Sequence, residues 1–292
     1  MGNLKEIRSR IVSVKSTRQI TSAMKMVSAA KLKRAQDAVI NLRPYSEKLH
    51  FILKDISHSI EGSIENIFSR DEVPEKILII AITSNKGLCG AFNANVIKQV
   101  NKLINIDYVG EFTRGNGKII SIGKKGSEYF QSRKYPVLYT NNQLLDQLSY
   151  ENALPFIEQI LELYITKKAD KIILVYNRFK NAGVQILTVN DFLPIDNTEE
   201  EFSEQHFDYI FEPTKEYIVQ ELIPKSLKLK LYEAMLESLA AEHGARMTAM
   251  HKATDNASEM IKDLQLNYNK ARQASITGEI LEIVGGAEAL KK

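Results

Sequence analysis

Apolar residues fall at Leu4, Ile7, Ile11 and Val14, then at Ala35, Ala38, Leu42, Tyr45, Leu49, Ile52 and Ile56, with polar positions between them. Steps of three and four along one narrow seam predict a coiled-coil helix over residues 1–60. Pro44 is the one proline between Asn3 and Ile60, and no glycine lies there. Between the two runs the seam blurs into SAMKMVSAAKLKRA (residues 22–35). That stretch reads as a shifted seam, with small residues where two helices cross closely.

The pattern changes over residues 74–211. KILIIAIT (76–83), KIISIG (118–123) and KIILVYN (171–177) are strand-like runs, with helical stretches near 91–106, 124–134 and 150–168. A further run, VQILTVNDFL (184–193), follows the NAG turn at 181–183 and should pair antiparallel with the strand before it. Alternating strands and helices predict a mostly parallel sheet covered by helices, a Rossmann-like α/β domain.

The third zone, 213–292, opens at Pro213, a good first-turn helix residue. Pro224 should kink the helix or begin a new segment. A three-four spacing then runs from Leu229 through Tyr232, Leu236, Leu239, His243, Arg246, Met250, Ala253, Ala257, Met260, Leu264, Asn267, Ala271, Ala274, Gly278 and Leu281. A helix from Lys225 to Ala289 would extend on the order of 100 Å at 1.5 Å per residue. The fold class expected is α/β, with a long antiparallel coiled coil of the terminal helices and the sheet domain inserted between them. His243, Arg246 and Asn267 are polar at seam positions and weaken a two-helix coil, so this part should have other protein around it.

Charge adds an asymmetry. The formal net charge is only +3, yet residues 1–34 hold nine Lys/Arg against Glu6, and residues 196–216 hold eight acids against Lys215. Such a split fits partners of different sign at different places, or simply solvated faces. One cysteine rules out an internal disulfide and fits a reducing compartment. No apolar run approaches the roughly 18–20 residues that span a bilayer. The N-terminus has no signal-peptide apolar core, so the chain is expected to be soluble, meeting a membrane only through partners.

Candidate chemistry is sparse. TSNKGLCG (83–90) sits between a strand and a helix, as a phosphate loop would. It has neither GxGxxG nor GxxxxGK[ST], and Gly117-Lys118 is followed by Ile119. Cys89 as a nucleophile would need a base, and His206 is the one histidine near the α/β zone. A small buried thiol is the simpler reading. No histidine spacing suits a metal, and one cysteine builds no zinc site. No catalytic residue, cofactor or metal is therefore expected. The basic N-terminal helix lacks the interleaved aromatics of a nucleic-acid surface. A shaft for partner proteins, a nucleic-acid-binding coiled coil and a small-molecule enzyme are the three readings, and the first explains most.

ITGEILEIVGGAEAL (276–290) then resembles the C-terminal signature of the gamma subunit family of F-type rotary ATP synthases, at Ile276, Thr277, Glu279, Glu282, Gly286, Ala287 and Ala289. YNKARQASIT (268–277), ARMTAMHKATDNA (245–257) and EIRSRIVSVKSTRQITSAMKMVSAAK (6–31) are similar to further stretches of that family. TSNKGLCG resembles its characteristic loop, with Asn85 and Lys86 where Asp-Arg is frequent.

The resemblance implies a central shaft inside a hexamer of alpha and beta subunits, with a foot that rests on the c-subunit ring and holds epsilon. Chemistry would lie on the partners, and the chain would couple ion flow to ATP synthesis or hydrolysis and help regulate both. Met24 and Lys25 match positions that meet the moving lever of beta. Arg246, Arg272, Gln273, Thr277 and Glu279 match positions that meet catch loops of the catalytic subunits, and Tyr209 with the acidic tract falls in the foot. A peripheral place on the cytoplasmic face of a bacterial plasma membrane is expected.

Overall fold

The computed structural model describes residues 4–58, Phe68, 73–195 and 214–289. The acidic tract from 196, with Tyr209, His206 and Pro213, lies outside the described residues. Two helices stand at the ends, α1 (Leu4–His58) and α6 (Lys215–Ala289). Between them come β1 (Ile77–Ile82), α2 (Phe92–Lys102), α3 (Val109–Thr113), β2 (Gly117–Ile122), α4 (Lys124–Ser132), β3 (Val137–Asn141), α5 (Tyr150–Ile165), β4 (Lys171–Asn181) and β5 (Val184–Leu193). The chain forms two compact units, Met1–Ser28 with Met247–Lys292, and Ala29–Arg246.

In the larger unit the strands lie in the order β3-β2-β1-β4-β5. The first four are parallel, and β5 returns antiparallel on β4 as the NAG turn predicts. Every residue of β1 is buried, which a parallel strand with helices on both faces requires. Leu78, Ile80 and Ile82 point into a core completed by Ile157, Ile160 and Tyr164 of α5 and by Leu227, Leu231 and Met235 of α6. Ile77, Ile79 and Ala81 point the other way, onto Val96 and Val100 of α2 and Phe130 of α4. Strand periodicity of two thus serves two cores at once.

Four strands sit where the apolar runs put them, and β3 is the addition. Its five residues are half-buried or exposed, so it carries no apolar run to find. The helix expected over 91–106 is α-helical only to Lys102 and ends in a π turn, Leu103–Asp107. Pro224 neither ends nor restarts α6, which is continuous from Lys215 with the proline inside it.

The seam of α1 needs correction in the larger unit. Leu32, Ala35, Val39, Leu42, Ser46 and Leu49 turn inward, whereas Tyr45 is exposed. Ser46 Oγ donates to Glu233 Oε2 (2.6 Å), and Arg43 Nη2 donates to Glu237 Oε1 (3.1 Å). Those two contacts run in opposite directions along the helices, so α1 and α6 pair antiparallel. Burial raises the Glu237 carboxyl above the usual carboxylate range, against the pull of Arg43.

In the smaller unit the α1 seam continues through Ile7, Ile11, Val14, Thr21 and Ser28 without a shift. The apparent blur arises because buried Thr21 and Ser28 are polar while Val12, Ile20, Met26 and Val27 face outward. On α6 the seam is Met250, Thr254, Ala257, Ile261, Leu264, Tyr268 and Ala271. Met260, Asn267, Ala274 and Leu281, expected in it, are exposed. Thr21 Oγ1 and Thr254 Oγ1 share a hydrogen bond at 2.8 Å across the pair.

Candidate functional site

Doubly wound sheets hold ligands outside the carboxyl ends of their strands, where the strand order turns back. Here that place lies between β1 and β4. The chain fills it with its own helix. Ala241 and Ala245 of α6 pack with Cys89, Phe92 and Phe179. A Cβ placed on Gly244 would come within 3.2 Å of Ala182 Cα and carbonyl O and 3.4 Å of Phe179, so glycine is what permits this approach.

Arg246, 7% exposed, closes the crevice. Its Nη2 donates to Lys86 O (2.6 Å), Nε to Gly87 O (3.2 Å), and Nη1 to Glu242 Oε1 (2.6 Å). Burial pushes the Glu242 carboxyl upward, and Arg246 opposes that shift. The polar seam position is therefore met by this chain's own loop, where other protein was expected around it.

The loop itself is braced. Ser84 Oγ donates to Lys86 O (2.7 Å), and Ser84 N donates to Asn93 Oδ1 (2.9 Å). Asn85 Oδ1 accepts from Lys124 N (3.0 Å) and Thr83 Oγ1 from Gly126 N (2.9 Å), so side chains of the loop after β1 satisfy first-turn amides of α4. Cys89 is buried, with Asn93 Nδ2 3.3 Å from its Sγ and Ser84 Oγ at 3.7 Å. None of those described partners is a base. Lys86 and Leu88 point out to solvent, Leu88 with a φ of 61°. Among the described residues no His/Cys/Asp/Glu group is arranged to hold a metal ion.

His243, one turn from Arg246, is buried, and its Nδ1 finds no hydrogen-bond partner among the described residues. Burial, helped by the charges of Arg246 and Lys31, lowers its pKa from 6.5 to about 4. The unfolded chain thus takes up this proton below about pH 6.5, and the folded chain only below about pH 4. Stability present above pH 6.5 should be lost as pH falls through that window, by about 3 kcal/mol. Unfolding titrations should find this slope, and His243→Phe should remove most of it.

Of the residues expected at subunit contacts, Arg272, Gln273, Thr277 and Glu279 are exposed on α6 and Met24 and Lys25 are half-exposed on α1. All six belong to the smaller unit. Seventeen residues back from Thr21 reaches Leu4, and seventeen on from Thr254 reaches Ala271. Beyond Ala271, α6 has no described α1 residue opposite it. Ile276, Ile280, Leu281, Ile283 and Val284 are exposed there. Seam counting missed these apolar side chains because Leu281 was assigned inward and the rest were left on the polar faces. No helix among the described residues is long and apolar enough to cross a membrane.

A family model described as ATP synthase matches residues 3–290. The ATP synthase gamma chain of Christiangramia forsetii is 53% identical over 290 residues, covering 99% of each chain. That of Flavobacterium johnsoniae is likewise 53% identical over 290 residues, with 99% of each covered. Among solved structures, a chain of the Euglena gracilis mitochondrial ATP synthase, in an assembly of OSCP, F1 and c-ring, shares the fold at a TM-score of 0.72. It is 24% identical, covering 99% of this chain and 95% of that one. A sheet whose ligand crevice is plugged by its own helix, long end helices with an uncovered apolar tip, and end-to-end identity above one half place this chain in the family of ATP synthase gamma chains.

Proposed function

We propose that this chain is the central rotor shaft of an F-type ATP synthase and carries no catalytic centre of its own. Residues 1–60 and 213–292 form the shaft within a ring of alternating alpha and beta subunits. Residues 74–211 form the foot, which rests on the ring of c subunits and holds epsilon, with Tyr209 on that side. The chain stands on the cytoplasmic face of a bacterial plasma membrane through the ring.

The observation that carries this reading is the unbroken likeness to curated gamma chains over 99% of the sequence. The apolar end of α6 supplies a physical reason for partners, because a row of exposed isoleucines, Leu281 and Val284 invites burial by another protein. Met24, Lys25, Arg272, Gln273, Thr277 and Glu279 present polar and flexible side chains to the catalytic subunits. A ligand shifts a conformational equilibrium only by contacting the states differently. Two helices of unlike surface present a different face to each beta subunit, so each is driven to a different state in turn. The basic residues of α1 give attraction of long range and loose direction, which tolerates sliding. Through the same faces the shaft sets the rate of ATP hydrolysis and of ion flow.

Affinity purification of the tagged chain should recover alpha and beta subunits in a ratio of one copy to three of each. Recovery of the chain alone, or with nucleic acid that survives moderate salt, would overturn the proposal.

A further inference from the structure

On the basis of that reading, we infer that residues 241–246 of α6 form the joint that transmits torque between the sheet domain and the shaft helix. Arg246 and Gly244 are its positioning residues. A rotor needs its shaft helix fixed in azimuth, because a helix free to turn about its own axis would yield under load. Small residues alone do not provide this. Ala241, Gly244 and Ala245 allow close approach, but their short side chains leave a smooth face with few interlocking atoms.

Arg246 supplies the missing direction. Its planar guanidinium donates to the carbonyls of Lys86 and Gly87 on one side and to Glu242, one turn back on its own helix, on the other. The fork is rigid, so its donors hold fixed directions relative to one another. Rotation of α6 about its axis would break the two bonds to the loop together and leave a buried cation with only Glu242. An apolar pair of equal volume would be as stable or more so, yet would leave the azimuth free.

The far side of the grip is anchored too. Lys86 O also accepts from Ser84 Oγ, Asn85 caps α4, and Asn93 holds Ser84 from α2. Torque entering the sheet therefore reaches α6 through two walls, the β1–α2 loop at Arg246 and the β4–β5 turn at Gly244. Both walls stand at the strand-end crevice that related sheets use for ligands. The chain uses that crevice as a socket for its own helix.

The test uses the assembled ATP synthase in inverted membrane vesicles, comparing ATP hydrolysis with ATP-driven ion uptake against an opposing gradient. Gly244→Val drives a branched side chain into Ala182 and should retain hydrolysis while losing ion uptake per ATP. In the same complexes, Arg246→Met should speed amide exchange of residues 84–90 by about tenfold or more, since a buried charged donor is removed. Arg246→Lys, a point charge without the fork, should recover only part of that protection. Should Gly244→Val fail to assemble, Gly244→Ala, which needs its neighbours to give only slightly, should produce the same split to a smaller degree. Hydrolysis and uptake falling in parallel, or unchanged exchange at 84–90, would overturn the joint. Failure of the parent chain to assemble with alpha and beta would instead count against the rotor reading.

Discussion

Replacing Gly123 by alanine should cost the sheet domain about 4 kcal/mol or more, enough to leave a marginal domain largely unfolded. Gly123 ends β2 and opens α4 with φ 98° and ψ 141°, a region that only glycine occupies without strain. Its missing Cβ would overlap the Thr83 carbonyl oxygen and lie 2.7 Å from the carbon. Neither partner can move freely. Thr83 N donates to Ile122 O (2.8 Å), and Gly123 N donates to Asn141 O (3.0 Å). Thr83 Oγ1 in turn caps α4 at Gly126. The strain of about 1–3 kcal/mol for the backbone thus adds to overpacking of similar size. Urea unfolding checks the outcome, with Gly87→Ala as control: nothing lies within 4 Å of its added methyl, so it should be close to neutral. A loss below about 1 kcal/mol for Gly123→Ala would refute the account.

The glycines that looked functional in the sequence were Gly87 and Gly90, because they sit in a loop shaped like a phosphate site. Gly123, where a methyl would meet backbone at a positive φ, belongs to no such loop and meets Thr83 only after forty residues of chain have folded between them. Strands β1, β2, β4 and β5 were legible. The apolar runs of β1, β2 and β4 report burial on both faces, whereas β5, largely half-buried, was found through the NAG turn before it. Strand β3 was not, because an edge strand of half-exposed residues has no such run.

Helical seams were legible in type and misplaced in register. Apolar spacing reports where apolar residues are, and in α1 buried Thr21 and Ser28 sit inside while Ile20 and Val27 sit outside. A surface meant for other proteins carries apolar side chains outward and so imitates a core. The same effect displaced Met260 from the exposed face to the seam. Arg246 was recognised as an odd polar residue in a seam, but its two partners in the loop are 159 and 160 residues away along the chain. No spacing rule reaches that far. The resemblance fixed the family and named exposed contact candidates, whereas the geometry was needed to find that Arg246 is spent on the chain itself.

In the assembled enzyme, amides of α6 from Arg272 to Ala287 should exchange at least about a thousandfold more slowly than in the free chain, equivalent to about 4 kcal/mol of added protection. Up to Ala271 the helix packs against α1 through Thr254, Ala257, Ile261, Leu264 and Tyr268. Past it, every residue from 279 to 287 is exposed, as are Arg272 to Thr277. A single helix of that length is marginal in water without tertiary contacts, and Gly278, Gly285 and Gly286 weaken it further, by about 1 kcal/mol each relative to alanine. Nothing stands near those glycines to restrict a side chain, so within the chain they offer flexibility and no packing. The tip should therefore fray when free and become ordered when a sleeve of catalytic subunits covers Ile276, Ile280, Ile283 and Val284. Exchange measured by mass spectrometry on the free chain and on the purified complex separates the two cases. Residues 247–271 act as the internal reference, since their seam is already covered by α1 and should gain far less. Equal protection of the tip in both states would mean that the exposed apolar row has no partner in the assembly, and the rotor proposal would lose its physical support.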